Sequence, residues 1–391
     1  MKGVDEIMAK RTKILALLCS MYVVAALPVG CGADGSIPGA GTGAEVDGAQ
    51  VPMSTSAAQP TPSPSTSAAV ATETSTKANE VTWPNAEQRL LEDIVAKVLV
   101  SEGAALAVMI DGDGNALEAT NGTGDNGAVP TSRDLFRVGS ITKVFTALAT
   151  LTLVEEGVVE RDAEASAYLS RVEVPEGVTV RDLLQHTSGI LDVVAPNVLF
   201  ERPDRVWSPE EILDEWRAPG TLETGAGFTY ASSNYFLLGV LLEEVTGQSF
   251  HEVVRERLIG PLELADTYLA HHEDGGTPFD PYAPRDVENY DYTSIATGAW
   301  SAGAMVSSAP DLHRLFSALF DGQVISEDLL EKMTSNERYG LGLVRSDPNL
   351  FGHDGYSPGY RSMVGHDPTR GRGRSRDGCQ GFVWARGGVG C

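Results

Sequence analysis

The chain has 391 residues, 42% of them hydrophobic and 21% charged, which is an ordinary composition for a globular protein able to bury a substantial core. Its formal net charge of −25 at pH 7 argues against nucleic acid as a partner, because binding to phosphates draws on Lys and Arg. None of the 4 Cys (Cys19, Cys31, Cys379 and Cys391) lies between Trp83 and Pro368, so disulfides, cysteine-ligated zinc and a cysteine nucleophile are excluded from the central region.

Residues 1–31 read as an export signal. Lys10, Arg11 and Lys13 precede an apolar run from Ile14 to Val29, closed by the small residues Gly30-Cys31-Gly32. The run is shorter than the ~20 residues of a membrane span. Leu27-Pro28-Val29-Gly30-Cys31 resembles a bacterial lipoprotein processing site with Cys31 as the lipidated residue, although Pro28 stands where Leu, Val or Ile is usual. An ordinary secretory signal is the alternative. Both place the protein outside the cytoplasm; the first adds a lipid anchor as its sole membrane contact. Residues 32–80 are rich in Gly, Ala, Ser, Thr and Pro and cannot bury enough apolar surface to offset their ordering entropy, so they are expected to form a disordered tether.

A folded domain is expected over residues 81–368. Asn85-Ala-Glu-Gln88 has capping-box spacing and leads into Leu90, Leu91, Ile94, Val95 and Val98, the pattern of an amphipathic helix. Ala104 to Ile110 and Ala116 to Thr120 read as two strands joined by a hairpin turn at Asp111-Gly-Asp113-Gly-Asn115. Leu135-Phe136-Arg137-Val138 is strand-like, breaks at Gly139, and runs into Val144, Phe145, Ala147, Leu148, Leu151 and Leu153 at helical spacing. Ser140 then sits in the first turn of a core helix, with Lys143 one turn further along the same face. A hydroxyl and an amine so placed can share a proton, which is what serine needs to act as a nucleophile. By themselves a serine cap and a solvated lysine explain the same residues.

Further on, Ser208-Pro-Glu-Glu211 caps another helix, with Pro209 at its first position. Tyr230-Ala-Ser232 leads into an amphipathic helix ending at Gly247, and Gly303 to Leu312 reads as a strand or turn before a capped helix. Tyr339 to Leu343 and Phe351 to Tyr360 read as strands near a glycine-rich rim. Strands at both ends with helices between predict an α/β (α+β) domain, in which an antiparallel sheet is flanked by helices and carries an all-helical subdomain. His271-His-Glu-Asp274 lies in a polar, Gly-rich stretch and reads as a solvated loop, not a metal site.

Several motifs in this order resemble the penicillin-recognising serine hydrolases, a family that includes class C β-lactamases, D-alanyl-D-alanine carboxypeptidases and related esterases. The resemblance spans roughly Glu80 to Pro368. It rests on Ser140-Ile-Thr-Lys143, Leu184-Gln-His186-Thr-Ser-Gly189, Tyr230-Ala-Ser232, His353-Asp-Gly355 and Pro261-Leu-Glu-Leu264. It implies a β-lactamase/transpeptidase-like fold and an acyl-enzyme formed on Ser140. Lys143 and Tyr230 would be its proton-transfer partners, which of the two is the base being open. The backbone N–H groups of Ser140 and of Tyr356, after Gly355, would form an oxyanion hole. Ser232 and His353 would contact substrate, His353 lending polarity or positive charge toward a carboxylate, and His186 would hold a turn.

The resemblance implies no metal or cofactor. The implied substrates are a small peptide, a β-lactam or an ester, with a D-alanyl-D-alanine carboxypeptidase-like activity first. An esterase, a D-amino-acid amidase or a class C-like β-lactamase is the near alternative, and an inactive wall-binding lipoprotein the distant one. Three departures stand out. Ser232 replaces the usual Asn, Thr224-Gly225 replaces Pro-Gly, and residues 369–391 form an Arg/Gly-rich tail where the family has apolar strands and a closing helix. The tail, without strand alternation or helical period, is expected to be a truncated or frame-shifted end or a disordered extension, leaving the closing strands and helix missing.

Overall fold

The computed structural model describes residues 85–97, 105–112, 115–123, 127–190, 192, 199, 201–216, 227–273, 275–276, 278, 293–336, 338–357, 360–369 and 379–382. The export segment with Cys31, the tether 32–80, the Thr224-Gly225 pair and most of the tail lie outside the described residues.

The first helix, α1 (Asn85–Val95), buries Leu91, Ile94 and Val95 against an antiparallel hairpin of β1 (Ala105–Gly112) and β2 (Asn115–Gly122). Gly112 pairs with Asn115 at the end of the antiparallel register; residues 113–114 of the predicted turn lie outside the described residues. Side chains bind helix to hairpin: Gln88 Nε2 donates to the Glu118 carbonyl at 2.7 Å, and Asn121 Nδ2 to the Val95 carbonyl at 3.0 Å.

A short strand, β3 (Phe136–Arg137), then leads through a single 3₁₀ turn at Gly139–Ile141 into α2 (Thr142–Glu155). Periodicity predicts one broad buried face for α2, but every residue from Thr142 to Leu151 is buried. The reason is that α5 (Ser232–Thr246) and α7 (Thr293–Gly303) pack against it as well, and a helix covered all round needs no polar face. Its buried hydroxyls are satisfied: Thr142 Oγ1 donates to the Gly139 carbonyl and Thr146 Oγ1 to the Ser301 carbonyl, each at 2.6 Å. Around this pair stand α3 (Val180–Gln185), α4 (Pro209–Trp216) and α6 (Phe250–Val254). The start of α4 carries the predicted reciprocal cap between Ser208 and Glu211.

Strands β3, β4 (Tyr268–Leu269) and β5 (Met305–Ser307) form a small sheet in the order β3-β5-β4. Next, α8 (Ala309–Phe320) and α9 (Glu327–Thr334) precede an antiparallel sheet of β6 (Val344–Asp347), β7 (Leu350–Ser357), β8 (Tyr360–His366) and β9 (Cys379–Phe382). The His366 ring on β8 stacks on Phe320 of α8 with centroids 4.1 Å apart.

Two expectations change. Tyr339 to Leu343 is a turn with one bridge to Val344, because Gly342 adopts φ 92 and Leu341 N–H bonds the Met333 carbonyl; the strand starts at Val344. The tail also contains a strand. Cys379–Phe382 pairs with Met363–His366 of β8 and lies beside β1, so the closing side of the sheet is not wholly missing. An open edge presents unpaired N–H and C=O groups to any extended segment that follows, whatever its side-chain pattern.

Phe145, fully buried in α2, tests this core. Phe145→Ala is expected to lower unfolding stability by about 3–5 kcal/mol, read as a drop in the urea midpoint.

Candidate active site

Ser140 is delivered by a backbone arrangement that only glycines permit. Gly139 has φ +51, and a β-carbon there would collide with the Tyr356 backbone; one on Gly355 would strike the Val138 carbonyl. Ser362 Oγ donates to that same carbonyl at 2.8 Å. Strand β7 is thereby pressed against residues 138–140, and the peptides of Ser140 and Tyr356 lie at one junction, as an oxyanion site requires.

Lys143, the second residue of α2, is 1% exposed. Its Nζ donates to the Ala302 carbonyl at 2.8 Å and stands 3.1 Å from Ser140 Oγ and 3.4 Å from Ser232 Oγ. Burial lowers the ammonium pKa from 10.5 to about 8, while the carboxylates of Asp192 and Asp354 act in the opposite direction. The Ala302 carbonyl is available because it lies in the last turn of α7, where main-chain oxygens have no intrahelical donor; the same helix kinks at Trp300 (φ 34, ψ −121).

Tyr230 immediately precedes α5, whose first residue is Ser232. Its ring centroid is 5.1 Å from Lys143 Nζ, and its hydroxyl lies near enough to Ser140 for that side chain to influence its pKa. The residue leaves 40% of its surface open to solvent, but its phenol end is enclosed. That desolvation pushes the phenol pKa well above 10; the Ser140 side chain pulls it back, and solvent on the open side moderates the push. The start of α5 is pinned by Asp192 Oδ1, which accepts the Ser233 N–H at 3.1 Å.

His353 differs from expectation. Its ring is 3% exposed; Nδ1 lies 2.5 Å from the Asp354 carbonyl and Nε2 3.1 Å from the Tyr339 hydroxyl. Burial drives its pKa to about 4, Lys143 adding to the fall and Asp354 opposing it. A neutral ring with both nitrogens engaged inside the protein presents no positive charge to a substrate carboxylate. Tyr356, by contrast, is 57% exposed, with the Arg361 guanidinium 4.3 Å from its ring centroid.

The structure thus brings Ser140, Lys143, Tyr230, Ser232, Gly355 and Tyr356 together and turns His353 inward. Ala302, Asp192, Asn234 and Tyr339 were not singled out in the sequence. Of these, only Asn234, within the Tyr230 segment, sits beside a motif that could have flagged it. The His271 to Glu273 stretch is a turn, and among the described residues no cluster suited to a metal ion occurs.

Among known proteins, the family described as Beta-lactamase matches residues 91–375. The chain belongs to the Beta-lactamase family. It is 26% identical over 262 residues to a penicillin-binding protein of Bacillus subtilis (strain 168), covering 60% of this chain and 58% of the relative. It is 33% identical over 172 residues to penicillin-binding protein 4 of Amycolatopsis lactamdurans, covering 41% of this chain and 43% of the relative. The chain therefore matches about half the length of these curated relatives. The solved structure of D-amino acid amidase from Ochrobactrum anthropi SV3 with L-phenylalanine amide superposes with a TM-score of 0.66 at 28% identity, covering 78% of this chain and 92% of that one.

In this Beta-lactamase family member the buried lysine carries a stability cost whose sign is fixed by its pKa. The folded value of about 8 lies below the unfolded 10.5, so the cost is fully present below pH 8 and fades toward 10.5 as the unfolded chain also loses its proton. Lys143→Met is expected to gain about 2 kcal/mol over the native chain at pH 7, after loss of the Ala302 hydrogen bond, and to lose that advantage by about pH 10. Denaturant titrations at the two pH values check this.

Proposed function

We propose that the protein is a serine hydrolase acting through an acyl-enzyme on Ser140, with D-alanyl-D-alanine-type peptides as its first substrate class. One observation carries the reading: a fully buried Lys143, its pKa lowered to about 8, within 3.1 Å of the Ser140 hydroxyl. Neutral Lys143 takes the Ser140 proton as Oγ bonds the acyl carbon. Tyr230, whose phenolate is disfavoured by burial, serves as the proton donor to the departing amine and recovers its proton from Lys143. Water then attacks the ester carbon, giving one proton to neutral Lys143, and the bond to Ser140 Oγ breaks as Lys143 returns that proton to Oγ. The N–H groups of Ser140 and Tyr356 stabilise the oxyanion in both halves.

The similarity to penicillin-binding proteins supports a peptide substrate. The neutral, inward His353 favours a second reading, an amidase or esterase that needs no substrate carboxylate, and the likeness to a D-amino acid amidase points the same way. Turnover of a D-alanyl-D-alanine peptide against its C-terminal amide separates the two, preference for the free acid supporting the first.

Fluorescent penicillin should give a stoichiometric covalent adduct that is absent in Ser140→Ala. No adduct with either penicillin or an activated ester would sink the hydrolase reading and leave a non-catalytic wall-binding protein. With an activated ester, the acylation rate should climb with pH to a plateau, with an apparent pKa near 8, because Lys143 is protonated and unable to accept below it.

A further inference from the structure

His186 ends α3 in the left-handed conformation, φ 57 and ψ 36, and is fully buried. Two of its hydrogen bonds go to the residues that flank Tyr230. The His186 carbonyl accepts the N–H of Thr229 at 2.8 Å, and Nδ1 accepts the N–H of Ala231 at 3.2 Å. The backbone is therefore fastened to one residue both before and after Tyr230. The imidazole also lies against the Tyr230 ring, with centroids 4.3 Å apart and planes at 37°.

The acceptor role of Nδ1 is set by the surroundings. Ser188 Oγ donates to Asn234 Oδ1 at 2.6 Å, which turns the Asn234 amide nitrogen toward Nδ1, 3.1 Å away. Two donors at Nδ1 leave the ring proton on Nε2, which has no hydrogen-bond partner among the described residues. The ring is packed by Tyr339 at 4.7 Å and Tyr235 at 5.1 Å, so its proton faces aromatic surface. Burial, with Lys143 and His353 adding to it, keeps the pKa well below 6.5 and the ring neutral.

We propose that His186 is the positioning residue for the Tyr230 phenol, holding it in register with Ser140 and Lys143 through the Nδ1 acceptor and the ring face. The proposal rests on the reading of Ser140, Lys143 and Tyr230 as the proton-transfer machinery. Tyr230 needs such a clamp because it belongs to no helix or strand and leaves 40% of its surface open to solvent. A reacting group displaced by about 1 Å can cost about 10²-fold in rate. The left-handed backbone fits the same role: it is uncommon outside glycine, and it persists where several contacts hold it.

The test is a double-mutant cycle in the full chain, reading acylation by an amide substrate, whose departing amine takes the Tyr230 proton. His186→Asn tolerates the left-handed backbone and can still accept from Ala231 but lacks the ring; His186→Phe keeps a ring but lacks the acceptor. Each is expected to slow acylation about 10²-fold with KM changed less than about threefold, and to cause no further loss in a Tyr230→Phe background. Losses that add in that background would overturn the proposal by making His186 merely structural. Nitrogen-15 NMR of the native protein supplies an arm that needs no variant. A neutral ring protonated at Nε2 is expected, and protonation at Nδ1 overturns the clamp. Unchanged acylation in Tyr230→Phe alone would instead refute the role of Tyr230, independently of any His186 result.

Discussion

A buried ammonium ion is the constraint around which this fold is arranged. Lys143 sits where water cannot solvate it, and an unpaired charge there would be among the most costly features a core can contain. Three hydrogen-bonding oxygens, from Ala302, Ser140 and Ser232, stand in for the lost water. Two carboxylates, Asp192 and Asp354, add longer-range attraction. The compensation is incomplete, and the lowered pKa is the measure of the shortfall. That shortfall is what makes the amine a usable base near neutrality.

Meeting this one need forces separate parts of the chain to meet. Helix α2 carries Lys143, the start of α5 brings Ser232, and the end of α7 brings the Ala302 carbonyl. Strand β7 can approach closely only because residues 139 and 355 lack side chains. The polar groups buried in α2 follow the same logic: Thr142 and Thr146 bond main-chain carbonyls, so their hydroxyls fasten the helix to the 3₁₀ turn and to α7 instead of weakening the core.

The Ser140–Lys143 relation was legible in the sequence because helical geometry alone makes residues three apart neighbours. Pairing them with Tyr230 and Ser232, some 90 residues away in the chain (|i−j| 89 for Lys143 and Ser232), needed the order of motifs, since no local pattern encodes a long-range contact. The Ala302 oxygen was illegible, as every residue has the same carbonyl. The lowered pKa of His353 was not legible because a residue type gives only its intrinsic pKa, whereas burial shifts it in place, with Lys143 adding to the fall and Asp354 opposing it. Cys379–Phe382 lacked a strand pattern, yet it pairs with β8 because backbone groups on an edge strand select for extension and not for side-chain identity.

The anchor for Lys143 is a main-chain oxygen, so the contact asks for a carbonyl at residue 302 and for no particular functional group there. Two residues upstream the helix kinks at a tryptophan whose side chain packs on Phe236 and Phe250. Positions that matter most to such an anchor are thus invisible to any comparison that looks only at residues lining the cleft.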